Sequence, residues 1–146
     1  MRYWEDFTPG QVFDLGSQAV TRDEITDFGR RWIPQPFHTD ETAARRSHFG
    51  GLVASGWHTA CIFMRLYYDH LLSDTASMGS PGVRELRWTA PVRPGDVLTA
   101  SATVLATARS ATRPGRGTVE MRWECAKADG TVVLQMLGTA YFARRP

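Results

Sequence analysis

From Leu52 to Leu72 apolar side chains fall on nearly every face of a helix, and this run limits the available folds more than any other feature of the chain. Val53, Trp57, Ala60, Cys61, Met64, Tyr68 and Leu71 recur at three- and four-residue steps, while Leu52, Ile62, Phe63, Leu66, Tyr67 and Leu72 occupy the remaining faces. A helix apolar all round has to be enclosed by other structure. Twenty-one residues would give about 31 Å of helix at 1.5 Å per residue. Gly56, His58, Arg65, Asp69 and His70 interrupt the run, so it reads as a helix buried in protein and not as a bilayer span.

On either side the periodicity changes. Pro9-Gly10 punctuates the start, and Val12 to Val20 reads as a first strand. Thr21-Arg22-Asp23-Glu24 has the capping-box form, in which hydroxyl and carboxylate satisfy free amides at a helix start. Ile25, Phe28 and Trp32 continue that helix on one stripe. Pro34 and Pro36 then remove donors and force extended geometry, which predicts a rigid loop from Pro34 to His38. Asp40 is placed to cap a short helix through Ala43 and Ala44, ended by Gly50-Gly51. Beyond the breaker-rich stretch Ser73 to Gly82 the period becomes two. Val83 to Ala90 reads as a strand and Pro91 to Asp96 as a turn. Ala100, Ala102, Val104 and Ala106 share one face of the next strand, and Val119, Met121, Trp123 and Cys125 one face of the strand after it. Asp129-Gly130 signals a hairpin, after which Val132, Leu134, Met136, Ala140 and Phe142 point one way.

One central apolar helix followed by a meander of long antiparallel strands is an α+β layout, with the curved sheet wrapped around the helix. One sheet covers only part of such a helix, so a homologous partner is expected to cover the rest, giving at least a dimer. The 146 residues are expected to fold as a single domain, residues 1–146, with no repeat or linker apparent. A net charge of +2 with no basic block argues against nucleic acid or a membrane surface as the main partner, and leaves a small anionic ligand compatible. Cys61 and Cys125 sit in apolar patterns without CxxC spacing, so both are expected as buried thiols in a reducing cytoplasm. Met1 to Asp6 lacks an apolar signal region, so no secretory leader is expected. His38, Asp40, His48 and His58 lack the i, i+4 spacing of zinc helices, and no metal is expected.

The run Trp32-Ile33-Pro34-Gln35-Pro36-Phe37-His38-Thr39-Asp40-Glu41, with Phe49 to His58 after it, carries a resemblance. It is similar to the motif of the MaoC-like acyl dehydratase and (R)-specific enoyl-CoA hydratase family, Asp-x-Asn-Pro-x-His with an acidic residue two further on and then a glycine-bearing helix start. Gln35, Pro36, His38, Asp40 and Gly56 match or nearly match it. The resemblance implies the hotdog fold and the reversible addition of water to a trans-2-enoyl thioester, with acyl-CoA as substrate and no cofactor. His38 would move the proton, and the Gly56 amide at the helix start would polarise the thioester carbonyl; imidazole titrates near neutrality and free helix amides stabilise an enolate-like oxygen. Gln35, Ser55 and Trp57 are candidate substrate-binding residues. A core reading stands beside the last of these, as it does for Met64 and Tyr68.

The sequence departs from the motif five residues before His38. There the family carries its catalytic Asp, and this chain carries Ile33. A side chain without a transferable proton forfeits a contribution of typically 10²–10⁴-fold. The position of a serine that some members place eight residues after the glycine is Met64. Two further readings therefore stand beside the hydratase: a non-catalytic acyl-CoA-binding or scaffold subunit, pairing with another hotdog chain, and a hotdog thioesterase. The thioesterase ranks last, because no acid lies between Leu52 and Met64 to direct water onto a thioester carbon.

Overall fold

The structure is a computed structural model and describes residues 1–146. It contains an antiparallel sheet laid against one central helix, as the hotdog fold requires. The sheet has the strand order β1-β3-β4-β5-β2, formed by Val12–Ala19 (β1), Gly82–Trp88 (β2), Val97–Arg109 (β3), Arg116–Lys127 (β4) and Val132–Ala143 (β5). The helices are Arg22–Trp32 (α1), Pro36–Thr39 (α2), Glu41–Arg46 (α3) and Gly56–His70 (α4). No helix is long and apolar enough to cross a membrane.

The three long strands follow their alternation closely. Along β4 every second residue from Gly117 to Cys125 is buried, and the set faces the helix. The departures occur at bulges, where one extra residue flips the phase and bends the strand. Between Val104 and Ala106 the register with β4 shifts, so Leu105 is the unpaired residue and Ala106 lies exposed instead of beside Val104. A second shift, at Cys125/Ala126, buries Val133 and leaves Val132 half-buried. A third, in β1 between Asp14 and Ser17, contains Gly16 at φ 79°. A side chain there would stand 2.7 Å from His70 Nε2, so glycine lets β1 close on the end of α4. Together the bulges curve the sheet around the helix. The hairpin at Asp129-Gly130 forms as read, with Gly130 at φ 89° and the Thr131 amide donating to Asp129 Oδ1 at 2.9 Å.

The caps are also as read. The Glu24 amide donates to Thr21 Oγ1 at 3.2 Å while the Thr21 amide donates back to the Glu24 carboxylate at 3.4 Å. Asp40 Oδ1 accepts from the Ala43 amide at 3.0 Å, which starts α3. Trp32, expected on the buried stripe of α1, instead lies exposed at its last turn. The segment Pro34 to His38, expected to be a loop throughout, is helical from Pro36. Proline at the first helical position forfeits only an amide that has no partner there, and its fixed φ suits the turn.

The central helix is shorter than its apolar pattern. Ser55 Oγ accepts from the Trp57 amide at 3.2 Å and caps it, so the 15 residues of α4 begin at Gly56, and Leu52 to Ala54 run extended before it. Ile62, Phe63, Leu66 and Tyr67 face the sheet and are buried, each contributing roughly 1.5–3 kcal/mol through apolar area removed from water. The opposite face is open. Trp57, Cys61, Met64 and Tyr68 are exposed along it, correcting the expectation that they are core residues. Cys125 alone is the buried thiol, and burial pushes it up to about 12.

Candidate active site

The site is assembled where three segments meet: the one-turn helix α2, the extended residues before α4, and the stretch after β2. The Val53 amide donates to Phe37 O at 3.1 Å and the Ala54 amide to Val92 O at 2.8 Å, so the strand-like segment is pinned from both sides. His38, 7% exposed, projects from α2 toward it, and His38 Nδ1 lies 2.6 Å from Val53 O. A carbonyl only accepts, so Nδ1 carries the hydrogen, and Nε2 is the ring nitrogen left for a ligand or water. Gly29 permits this seat, since a side chain on α1 there would stand 2.9 Å from His38 Cβ.

His38 and Gly56 line the same cavity, of about 410 Å³, together with Val53, Thr59, Trp88 and Val92 among its walls. This size suits a small-molecule site. Gly56 opens α4, and its amide donates to no protein acceptor. A free amide at the positive end of a 15-residue helix is an electrostatic asset for developing negative charge. Glycine is also needed for packing: a Cβ would stand 2.3 Å from Trp88 Cε2.

The other sequence candidates divide. Ser55 is buried and acts as the cap of α4. Gln35 is exposed beside α2, outside the cavity lining, and its carbonyl accepts from the His38 amide at 2.9 Å. Trp57 stands exposed outside the cavity lining, with its ring edge-on to Trp88 at 5.0 Å between centroids. Ile33 is half-buried as the last cap of α1 and does not line the cavity. Asp40, occupied with the Ala43 amide, is exposed.

Two contributors were not singled out from sequence. Thr59, 2% exposed, lines the cavity one turn after Gly56, and its hydroxyl makes only a long 3.5 Å contact back to Ser55 O. Its i+3 spacing from Gly56 was the available signal. Trp88 closes the cavity from strand β2, and nothing local in the sequence ties it to Gly56. His58 is buried against Phe28, their rings stacked at 4.9 Å, and its Nδ1 has no partner. Burial lowers its pKa below the ordinary imidazole value, against an opposing pull from the Glu24 carboxylate. No three His, Cys, Asp or Glu side chains are grouped to hold a metal ion.

Comparison with known proteins gives consistent results. The family model described as MaoC like domain matches residues 6–123. A MaoC-like dehydratase from Rhodospirillum rubrum is 42% identical, with a TM-score of 0.93 over 100% of this chain and 99% of that one. The uncharacterized protein YdeM of Bacillus subtilis is 32% identical over 94 residues, covering 64% of this chain and 67% of its own length. The R-hydratase PhaJ1 from Pseudomonas aeruginosa shares the fold, with a TM-score of 0.79 at 19% identity over 99% of this chain and 86% of that one.

Proposed function

The chain belongs to the MaoC-like dehydratase family, and from that premise we propose that it adds water reversibly to a trans-2-enoyl thioester, with acyl-CoA as the substrate and His38 as the proton carrier. The observation that carries this reading is a buried imidazole, fixed in one tautomer by Val53 O, in the same cavity as the free Gly56 amide. His38 Nε2 takes a proton from water as the water oxygen bonds to C3 of the enoyl group. The C2=C3 electrons move onto the thioester oxygen, where the Gly56 N–H stabilises the enolate. His38 then returns the proton to C2, and the 3-hydroxyacyl thioester leaves with one water added. The Thr59 hydroxyl gives the water a second hydrogen-bond partner in place of the carboxylate that Ile33 lacks.

Loss of a conjugated absorbance with crotonyl-CoA or a longer enoyl-CoA tests the reading. Turnover absent in the native protein, or unchanged in His38→Ala, overturns it.

Two observations favour a second reading. Ile33 removes the family's acid, and the exposed stripe of Trp57, Met64 and Tyr68 offers a face for another chain. A second copy on that stripe gives a homodimer; a MaoC-like chain with an intact Asp–His pair gives a scaffold role in a hetero-oligomer. Activity of the purified homo-oligomer alone decides for the first. Both cysteines are unpaired, which fits a cytoplasmic setting.

A further inference from the structure

Arg93 stands half-buried at the rim of the His38 cavity, and its guanidinium forms no ion pair. It directly follows Pro91 and Val92, which line the cavity, and its Nη2 donates at 2.5 Å to the carbonyl of Phe49, another lining residue. The acid of its own turn is Asp96, and that carboxylate is taken. Asp96 Oδ2 accepts from the Arg93 amide at 2.7 Å and pairs with Lys127 Nζ at 3.0 Å. A guanidinium presents five N–H donors in a planar fork that matches a phosphate. Phe49 O engages one of them, and the others have no protein acceptor. No Lys or Arg lines the cavity itself, so an anionic part of a ligand meets its cation at this rim.

The chain sets the separation between this cation and the reacting end. An added Cβ at Gly51 would stand 3.3 Å from Arg93 Nη1, so glycine leaves the guanidinium uncovered there. From Gly51 the backbone runs extended through Ser55 to the helix start. At about 3.3–3.6 Å per residue, Gly51 lies at most about 16–18 Å from Gly56. In a pantetheine thioester roughly thirteen bonds join the sulfur to the first phosphorus, about the length of four to five residues of extended backbone. A thioester carbonyl held at the Gly56 amide therefore brings that phosphate within reach of Arg93. The Gly51 amide donates to no protein acceptor and stands beside the guanidinium as a second donor.

Building on the hydratase reading above, we propose that Arg93 and the Gly51 amide bind the phosphate ester at the end of the pantetheine arm, the group that coenzyme A shares with a phosphopantetheine-bearing carrier protein. The site reads the carrier by that phosphate and leaves the acyl group to the uncharged cavity. Loss of this charge-assisted contact, discounted for solvent at the rim, lowers affinity about tenfold.

The test titrates butyryl-CoA, butyryl-phosphopantetheine and butyryl-pantetheine into the native protein by calorimetry, so that no turnover is needed. The two phosphorylated compounds are expected to bind about tenfold more tightly than butyryl-pantetheine. Phosphopantetheine no better than pantetheine overturns the proposal, even where the CoA compound binds best, because the phosphates of the nucleotide would then be what is read. Arg93→Gln, which keeps an N–H for Phe49 O and removes the charge, should bring butyryl-phosphopantetheine down to butyryl-pantetheine and leave the latter unchanged. A preference that survives in this variant, or an equal weakening of all three compounds, also overturns it. If the variant fails to fold, the native protein decides: butyryl-phosphopantetheine, and not butyryl-pantetheine, should protect Arg93 from phenylglyoxal, read by peptide mass spectrometry, and equal protection refutes the assignment. A phosphate preference without hydration of any enoyl-CoA would sink the catalytic reading and leave this contact standing.

Discussion

Replacing Gly56 by alanine separates the packing role of this position from its chemical one. The added methyl would stand 2.3 Å from Trp88 Cε2, 2.4 Å from Cδ2 and 2.7 Å from Nε1. Carbon atoms rest at about 3.5–4.0 Å, so the indole must retreat by more than 1 Å. Trp88 is 44% exposed on the edge strand β2, which lets it swing outward. Swinging breaks its edge-on contact with Trp57, worth about 0.5–1.5 kcal/mol, and exposes part of its buried half. Added to ordinary overpacking, the net cost is about 1–3 kcal/mol. For a domain of this size that lowers the melting temperature by roughly 3–10 °C. The Gly56 amide survives the change, so activity should fall only because methyl and indole intrude on the cavity. In Gly56→Ala/Trp88→Ala the clash disappears. Its stability should lie within about 0.5 kcal/mol of Trp88→Ala alone, with kcat/KM recovering in parallel. Thermal unfolding and enoyl-CoA turnover on the four proteins of the cycle give the answer. A Gly56→Ala protein that melts like the native one, or losses that simply add in the double variant, would refute the close contact and everything argued from it.

Ile33→Asp should raise kcat/KM by about 10²-fold at most, the low end of what a positioned acid supplies, because residue 33 does not line the cavity; enoyl-CoA turnover at neutral pH measures it, and an unchanged rate shows the acid is not the missing part. Thr59→Val should cut kcat more than KM while Thr59→Ser restores it; equal losses in both would reduce Thr59 to packing. His58 has a lowered folded pKa, so its contribution to stability is complete above about pH 6.5 and declines as the pH falls toward the folded value, the unfolded chain taking the proton first. His58→Phe should therefore flatten the acid side of a stability–pH curve measured by denaturant unfolding, and an unaltered slope would contradict the burial argument. Tyr68→Glu on the open face of α4 should convert a dimer to monomer in light scattering while leaving the far-UV spectrum intact; a dimer that persists places the interface elsewhere.

The sequence made legible whatever depends on period and local chemistry. The alternation of Val119, Met121, Trp123 and Cys125 placed β4 correctly, and Thr21 and Asp40 cap the helices their spacing announced. His38 and Gly56, singled out by a motif, line one cavity. Missed were features set by tertiary geometry. A two-residue period cannot announce the bulge at Leu105 that throws Ala106 outward. Two prolines argue for extended chain until Pro36 is found at the one helical position that tolerates it. Apolar spacing placed Trp57, Met64 and Tyr68 in the core, because it registers that a face wants covering without saying whether the same chain covers it. The Trp88–Gly56 contact joins residues 32 positions apart, and no local pattern encodes it.

The bond from the Val53 amide to Phe37 O, with the return bond from His38 to Val53 O, makes a clasp across the neck of the excursion from Thr39 to Leu52. Imidazole and helix tip are thereby anchored to one short stem, three residues of backbone apart, whatever the excursion beyond it does. Lengthening a closed excursion costs only about 0.6 kcal/mol per doubling. Grafted residues at its outer bend, near His48, would enlarge the rim of the cavity while the spacing of imidazole and helix tip stayed put, so this neck is where a chain of this build can acquire new ornament without disturbing what lies beneath it.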